Sequence, residues 1–152
     1  MKKFLSILFV FVILAILGAA ITGVVVDNIT SKNVENELSS IELPDNTTID
    51  STISRTGKLT VKDGALQFYG AVLLKSSSPY ALLQSHYTTE YKGDLEIKLI
   101  PLSTAKAEFG EDFDSALRFG HHDGQPEEYY LLYAFTEGQM PFPMLDYRSY
   151  FS

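Results

Sequence analysis

Leu66-Gln67-Phe68-Tyr69-Gly70-Ala71-Val72-Leu73-Leu74-Lys75-Ser76 is the stretch on which the fold turns. On a strand, successive side chains alternate between faces. Leu66, Phe68, Gly70, Val72 and Leu74 therefore share one face, and Tyr69, Ala71 and Leu73 share the other. Both faces become apolar toward the C-terminal end. A strand of that kind is covered on both sides, which places it inside a sheet. Gly70 marks either a bulge or a close approach by another backbone.

Upstream, Leu59 and Val61 alternate into Lys62-Asp63-Gly64, and Asp-Gly favours a tight hairpin turn. Before that, Thr47–Ser54 places Ile49 and Ile53 on one face of a strand with Ser51 between them. Downstream, Ser78-Pro79 opens a helix. Ser78 is positioned to cap its free amides, and proline suits a first helical position. Tyr80, Leu83, Tyr87 and Tyr91 recur at three and four residues, giving one buried stripe. Gly93 suits a left-handed closing residue. Leu95, Ile97 and Leu99 alternate with Glu96 and Lys98 as a half-buried strand that stops near Pro101. Ser103–Asp114 reads either as a short helix on Phe109 and Phe113 or as a loop. Leu117 and Phe119 alternate into a second turn, His121–Pro126. Tyr129–Thr136 is an aromatic strand. Gly138–Ser152, with Phe142, Met144, Tyr147, Tyr150 and Phe151, is too apolar for a free tail.

Strand, strand, helix, strand, strand, strand is the resulting order. It predicts an α+β domain: a mostly antiparallel sheet of about five strands with one main helix packed on one face. A transmembrane helix is expected to precede it. Lys2 and Lys3 are followed by an uncharged run from Phe4 to Val26. As a helix rising 1.5 Å per residue that run is long enough to cross a hydrocarbon core, about 30 Å thick. Two lysines before it, with Asp27 the first charge after it, put the N-terminus in the cytoplasm and the remainder outside. A cleaved signal peptide, with Gly18 and Ala20 before the cut, is the rival reading. Continued apolarity through Val24, Val25 and Val26 weighs against it. A buried soluble helix is a third reading. Ala15, Ala19 and Gly23 form a small-residue ridge suited to an anchor-mediated dimer.

Three regions are expected: an anchor over 1–30, a stalk over 31–46 and an extracytoplasmic domain over 47–152. Asp27–Leu43, with Val34, Leu38 and Ile41 at near-helical spacing, reads as a stalk or a short amphipathic helix ending before Pro44. The formal net charge is −7, and Lys2 and Lys3 are the only charges before Asp27. From Asp27 onward the chain carries ten basic and nineteen acidic side chains. Such a domain is repelled by nucleic acid and by anionic headgroups, and Lys92, Lys98 and Lys106 are scattered. The chain has no cysteine. This excludes disulfides, thiolate metal sites and cysteine catalysis, so the hydrophobic core must hold the domain.

Chemistry-bearing residues are few. His121-His122-Asp123 offers metal-ligand types, but adjacent strand residues point to opposite faces and no matching ligand spacing appears elsewhere. His86 lies on the helix with Glu90 four residues on, which suits a surface hydrogen bond or charge pair. Glu111, Asp112 and Asp114 resemble a fragment of a calcium loop without its central glycine or terminal glutamate. Glu127 and Glu128 read as surface charge in a turn. Ser76-Ser77-Ser78 is better explained by capping than by nucleophilic catalysis. Asn28-Ile29-Thr30 and Asn46-Thr47-Thr48 fit a glycosylation acceptor pattern, which matters only in a eukaryotic secretory route. No catalytic, cofactor or metal residue is therefore assigned.

Gly57-Lys58-Leu59, the run Leu66–Ser76 and Tyr129-Tyr130-Leu131-Leu132-Tyr133 resemble small single-span bacterial cell-envelope proteins of unassigned function. The resemblance covers Leu43–Thr136, and the chain departs from it at the Lys62-Asp63 turn. It implies a bacterial envelope location and no activity. The expected function is non-enzymatic: an anchored domain that binds an envelope protein or a small ligand. Membrane lipid is its partner through residues 4–26, and nucleic acid is not. The alternatives are a hydrolase with an acidic site, a histidine-based metal sensor and a secreted soluble domain.

Overall fold

The computed structural model describes residues 2–57, 66–109 and 128–138. Its elements are α1 (Lys2–Ser39), β1 (Thr47–Gly57), β2 (Leu66–Ser76), α2 (Tyr80–Glu90), β3 (Ile97–Pro101), α3 (Leu102–Phe109) and β4 (Tyr129–Gly138). Among the described residues the architecture is α+β, with a four-stranded antiparallel sheet ordered β1-β2-β4-β3. The Lys62–Gly64 turn, the strand expected at Leu117–Phe119 and the Gly138–Ser152 tail beyond its first residue lie outside them.

β2 is central, as its two apolar faces require. It pairs with β1 from Thr47↔Ser76 to Gly57↔Gln67 and with β4 from Leu66↔Gly138 to Lys75↔Tyr129. β3 pairs with the other side of β4 from Ile97↔Ala134 to Pro101↔Tyr130. β2 and β3 are thus parallel to each other, joined through α2, with β4 inserted between them.

Helices cover both faces of the sheet, where the sequence suggests one main helix on one face. On one face, Val34 and Leu38 of α1 and Leu83 and Tyr87 of α2 pack with Val72, Leu74, Leu99 and Leu132. On the other, Ala105 of α3 packs with Tyr69, Ala71, Leu131 and Tyr133, with Leu102 and Phe109 against them. Phe109 meets the Tyr133 ring edge-on at 4.9 Å and the Tyr69 ring at 6.1 Å. This second layer explains why Tyr129–Phe135 is apolar without interruption.

Of the two readings of Asp27–Leu43, stalk or amphipathic helix, the structure has the helix as far as Ser39. From Asp27 to Leu38, α1 lies on β1 and β2, with Asp27, Ser31, Val34, Glu35 and Leu38 all buried. Gly70 is where it comes closest. A Cβ there would sit 2.5 Å from Glu35 N and 2.8 Å from Val34 C. The pairing of β2 is regular through Gly70, so this glycine serves backbone approach and not a bulge.

The bulge falls instead at Asp50, between the Ile49↔Leu74 and Ser51↔Leu73 pairs. One extra residue reverses the side-chain alternation beyond it. Ile49 therefore packs with the α1 side and Ile53 with the α3 side, not on one face together.

Two expected caps of α2 are also corrected. Pro79 holds the N-cap position and no side chain caps the helix. Ser78 Oγ donates instead to Asp45 O at 3.1 Å. At the other end Tyr91 is the C-cap, with extended backbone (φ −71°, ψ 124°). Gly93 has no left-handed φ; a Cβ there would strike the Tyr91 ring and the Glu37 carboxylate. Ser78→Ala is accordingly expected to cost under about 0.5 kcal/mol, against about 1 kcal/mol for a true cap. Denaturant midpoints of the two proteins check this.

Candidate functional site

Most residues that the sequence offers for chemistry, namely Glu111, Asp112, Asp114, His121, His122, Asp123 and Glu127, lie outside the described residues. Glu128 is described, and its carboxylate stands 3.8 Å from Lys75 Nζ with both side chains about half exposed. Such a pair contributes at most about 1 kcal/mol. His86 Nε2 lies 2.7 Å from Glu42 O, and its ring stands edge-on to Tyr87. It ties α2 to the segment after α1. Ser76 Oγ shares a hydrogen bond with Thr47 Oγ1 (2.7 Å) and accepts one from Ser78 N (3.1 Å). These serines fasten strand ends and have no imidazole among these partners. Asn46, in the second acceptor pattern, takes a left-handed turn (φ 59°) before the buried Thr47. Among the described residues no three His, Asp or Glu side chains gather to hold a metal.

The structure does gather two other groups. The first is a polar seam between α1 and β1. Asp27, Ser31 and Glu35 recur every four residues on one face of α1, while Thr52, Ser54 and Thr56 alternate on one face of β1. Ser31 Oγ and Thr56 Oγ1 are 2.6 Å apart, and Thr56 Oγ1 also donates to Asp27 O at 3.2 Å. Thr52 Oγ1 donates to Glu35 Oε1 at 2.6 Å, and Lys32 Nζ donates to the same oxygen. Burial pushes the Glu35 carboxyl up, but hydrogen bonds from Lys32, Thr52 and Ser54 together with the lysine charge outweigh it, leaving the pKa below the ordinary value. A satisfied, charged seam of this kind fixes how the helix sits on the strand.

The second group lines a half-open pocket of about 230 Å³ at the β3 end of the sheet. Ile97, Leu99 and Leu132 give it apolar walls. Gln84 and Thr88 of α2, Lys98 of β3 and Glu108 of α3 give it polar margins. Tyr87 lines it too; the residue is 2% exposed and its hydroxyl has no hydrogen-bond partner among the described residues. Burial pushes this phenol up to about 12. Tyr133 OH donates to Glu108 Oε1 at 3.2 Å. Burial, then the Glu108 charge, raises that phenol as well. Both phenols therefore remain protonated donors at neutral pH. A buried hydroxyl without a partner costs about 1–3 kcal/mol.

No family model matches the chain, and no curated protein and no solved structure matches it.

Both groups escape a reading by hydrophobic pattern. Asp27, Ser31 and Glu35 look like a solvated helix face. Only their four-residue period, facing the two-residue period of Thr52, Ser54 and Thr56, signals a contact. Tyr87 is legible as core, but nothing in the sequence shows that its hydroxyl lacks a partner among the described residues.

Proposed function

We propose that this chain is a membrane-anchored, non-enzymatic domain held outside the cytoplasmic membrane, binding a small ligand or an envelope protein. The observation that carries the reading is the continuity of α1. The helix runs unbroken from Lys2 to Ser39, about 57 Å at 1.5 Å per residue. From Phe9 to Leu17 its large apolar side chains are 40% to 67% exposed, over more than two turns and so on every face. An all-apolar helix with no protein cover calls for lipid. Among the described residues no helix is long and apolar enough to cross a membrane. The described apolar side chains fall at 9–18, 21–22 and 25–26, while the uninterrupted run Phe4–Val26 belongs to the sequence.

Cleavage near Ile21 fits less well. It would leave Ile21, Val25, Val26 and Ile29, each at least half exposed, in water on a helix whose far half is docked on the sheet. The pocket, with apolar walls and Gln84, Thr88, Lys98 and Glu108 at its margins, supports the small-ligand form of the binding role. The exposed ridge at Ala15 is where two anchors would meet in a dimer.

The full chain is expected to stay in the membrane pellet after alkaline carbonate washing, with the sheet domain digested by protease added from outside. Release of a soluble product beginning near Ile21 would reverse the reading in favour of cleavage.

A further inference from the structure

We propose that the pocket at the β3 edge holds a single amino acid with an apolar side chain, its carboxylate on Lys98, its ammonium on Glu108 and its side chain against Ile97, Leu99 and Leu132. This names the ligand class for the small-ligand reading above and rests on that reading.

The pocket draws its lining from both faces of the sheet. Ile97, Leu99 and Leu132 belong to the layer under α1 and α2. Lys98 alternates with Ile97 and Leu99, so it projects from the opposite face, where its Nζ lies 5.9 Å from the centroid of the Phe135 ring. Glu108 stands on that face too. It accepts from the hydroxyl of Tyr133, the residue with which Lys98 pairs across the strands. Apolar wall and charged margin therefore meet around the edge of β3, the end strand of the described sheet. A ligand laid across that edge needs an apolar arm on one side and a charged head on the other.

The head needs both signs. Among the described residues Lys98 forms its ion pair with Glu96, at 4.0 Å and exposed, and not with Glu108. A cation and a carboxylate held apart at one pocket match a ligand whose own two charges bridge them through charge-assisted hydrogen bonds. A purely anionic ligand would meet the field of a chain of net charge −7, whereas a zwitterion carries no net charge to repel. Size points the same way. About 230 Å³ is less than the roughly 300–1,000 Å³ of drug-sized sites and suits one amino acid. The edge itself is guarded against an added peptide strand. β3 has five residues and ends at Pro101, and its Leu99 carbonyl accepts from Tyr80 OH at 2.8 Å. Short length, a lysine and a proline are devices that keep an edge from pairing.

The full-length chain in detergent micelles is titrated calorimetrically at neutral pH with L-leucine, L-phenylalanine, L-alanine, N-acetyl-L-leucine and L-leucinamide. Leucine or phenylalanine is expected to bind at least about ten-fold more tightly than alanine, which lacks the arm. Leucine should also exceed each of its two derivatives by about ten-fold or more, the usual worth of a charged hydrogen bond. Glu108→Gln should remove the preference for leucine over its N-acetyl form, and Lys98→Gln the preference over the amide. If both derivatives bind as tightly as leucine, or if the two variants leave every preference unchanged, the inference fails while the small-ligand reading stands. Alanine binding as tightly as leucine overturns the apolar arm and with it the inference. If no probe is bound, the inference and the small-ligand form of the reading fall together, and the carbonate wash decides the anchor separately.

Discussion

Gly70→Ala is expected to cost about 3 kcal/mol, at the upper end of what overpacking costs. Elsewhere in a strand, alanine for glycine is favourable by about 0.4–1 kcal/mol, because it restricts the unfolded chain. Here the new methyl group meets backbone: Glu35 N at 2.5 Å and Val34 C at 2.8 Å. Backbone cannot rotate aside, so α1 must lift from β2. Lifting it strains the Glu35–Thr52 bond and opens the contact of Val34 and Leu38 with the sheet. Of the three nearest atoms only Val34 Cγ1, also at 2.8 Å, belongs to a side chain. Adding Val34→Ala should therefore restore little. Thermal unfolding of the full chain in a mild detergent, followed by tyrosine near-ultraviolet dichroism, gives the comparison. A Gly70→Ala protein as stable as its parent would mean that the helix rides higher above the sheet than these distances require.

Removing the helical half-layer altogether should be worse. A fragment beginning at Thr47, where the sequence suggests the domain begins, lacks Val34 and Leu38 and uncovers Val72 and Leu74. Each buried aliphatic side chain lost costs about 2–5 kcal/mol, against about 5–15 kcal/mol for a whole domain. The Thr47–Ser152 fragment should therefore show no cooperative unfolding and should bind hydrophobic dye. A fragment beginning at Asp27 keeps the seam with Thr52 and Thr56 and should fold. Starting at Ser31 removes the Asp27 carbonyl that receives both Ser31 and Thr56 and frays the first turn, so that fragment should unfold cooperatively but at a lower midpoint than the one beginning at Asp27. Equal stability of all three fragments would show that α1 is not part of the fold.

The contrast between β2 and β1 shows what the sequence makes legible. β2 announces itself because both of its faces are buried, and burial on both faces leaves an apolar run that no other arrangement explains. The stripe Leu83/Tyr87 of α2 is legible for the corresponding reason of period. β1 misleads because a bulge is one inserted residue, and Asp50 carries no mark of it. The stalk misleads because half of its buried face is polar: a helix that docks through Asp27, Ser31 and Glu35 has the composition of one that faces water. Gly70 and Gly93 are glycines for want of space rather than for backbone freedom. Which neighbour takes that space is a fact of tertiary structure. The pocket is less legible still, since α2, β3 and α3 bring its lining together from separate parts of the chain.

The unbroken run of α1 fixes an angle as well as a distance. Without a proline or glycine between Asp27 and Ser39, the helix between the last apolar residue and the docked turn is a torsionally stiff shaft. In the proposed anchored arrangement, helical phase would set the azimuth of the sheet around the membrane normal. Each residue added or removed at that junction turns the domain by about 100°, and seven nearly restore it. Two anchors meeting along one ridge would thereby present their β3 pockets at a defined bearing to each other. A flexible stalk would have left that bearing free.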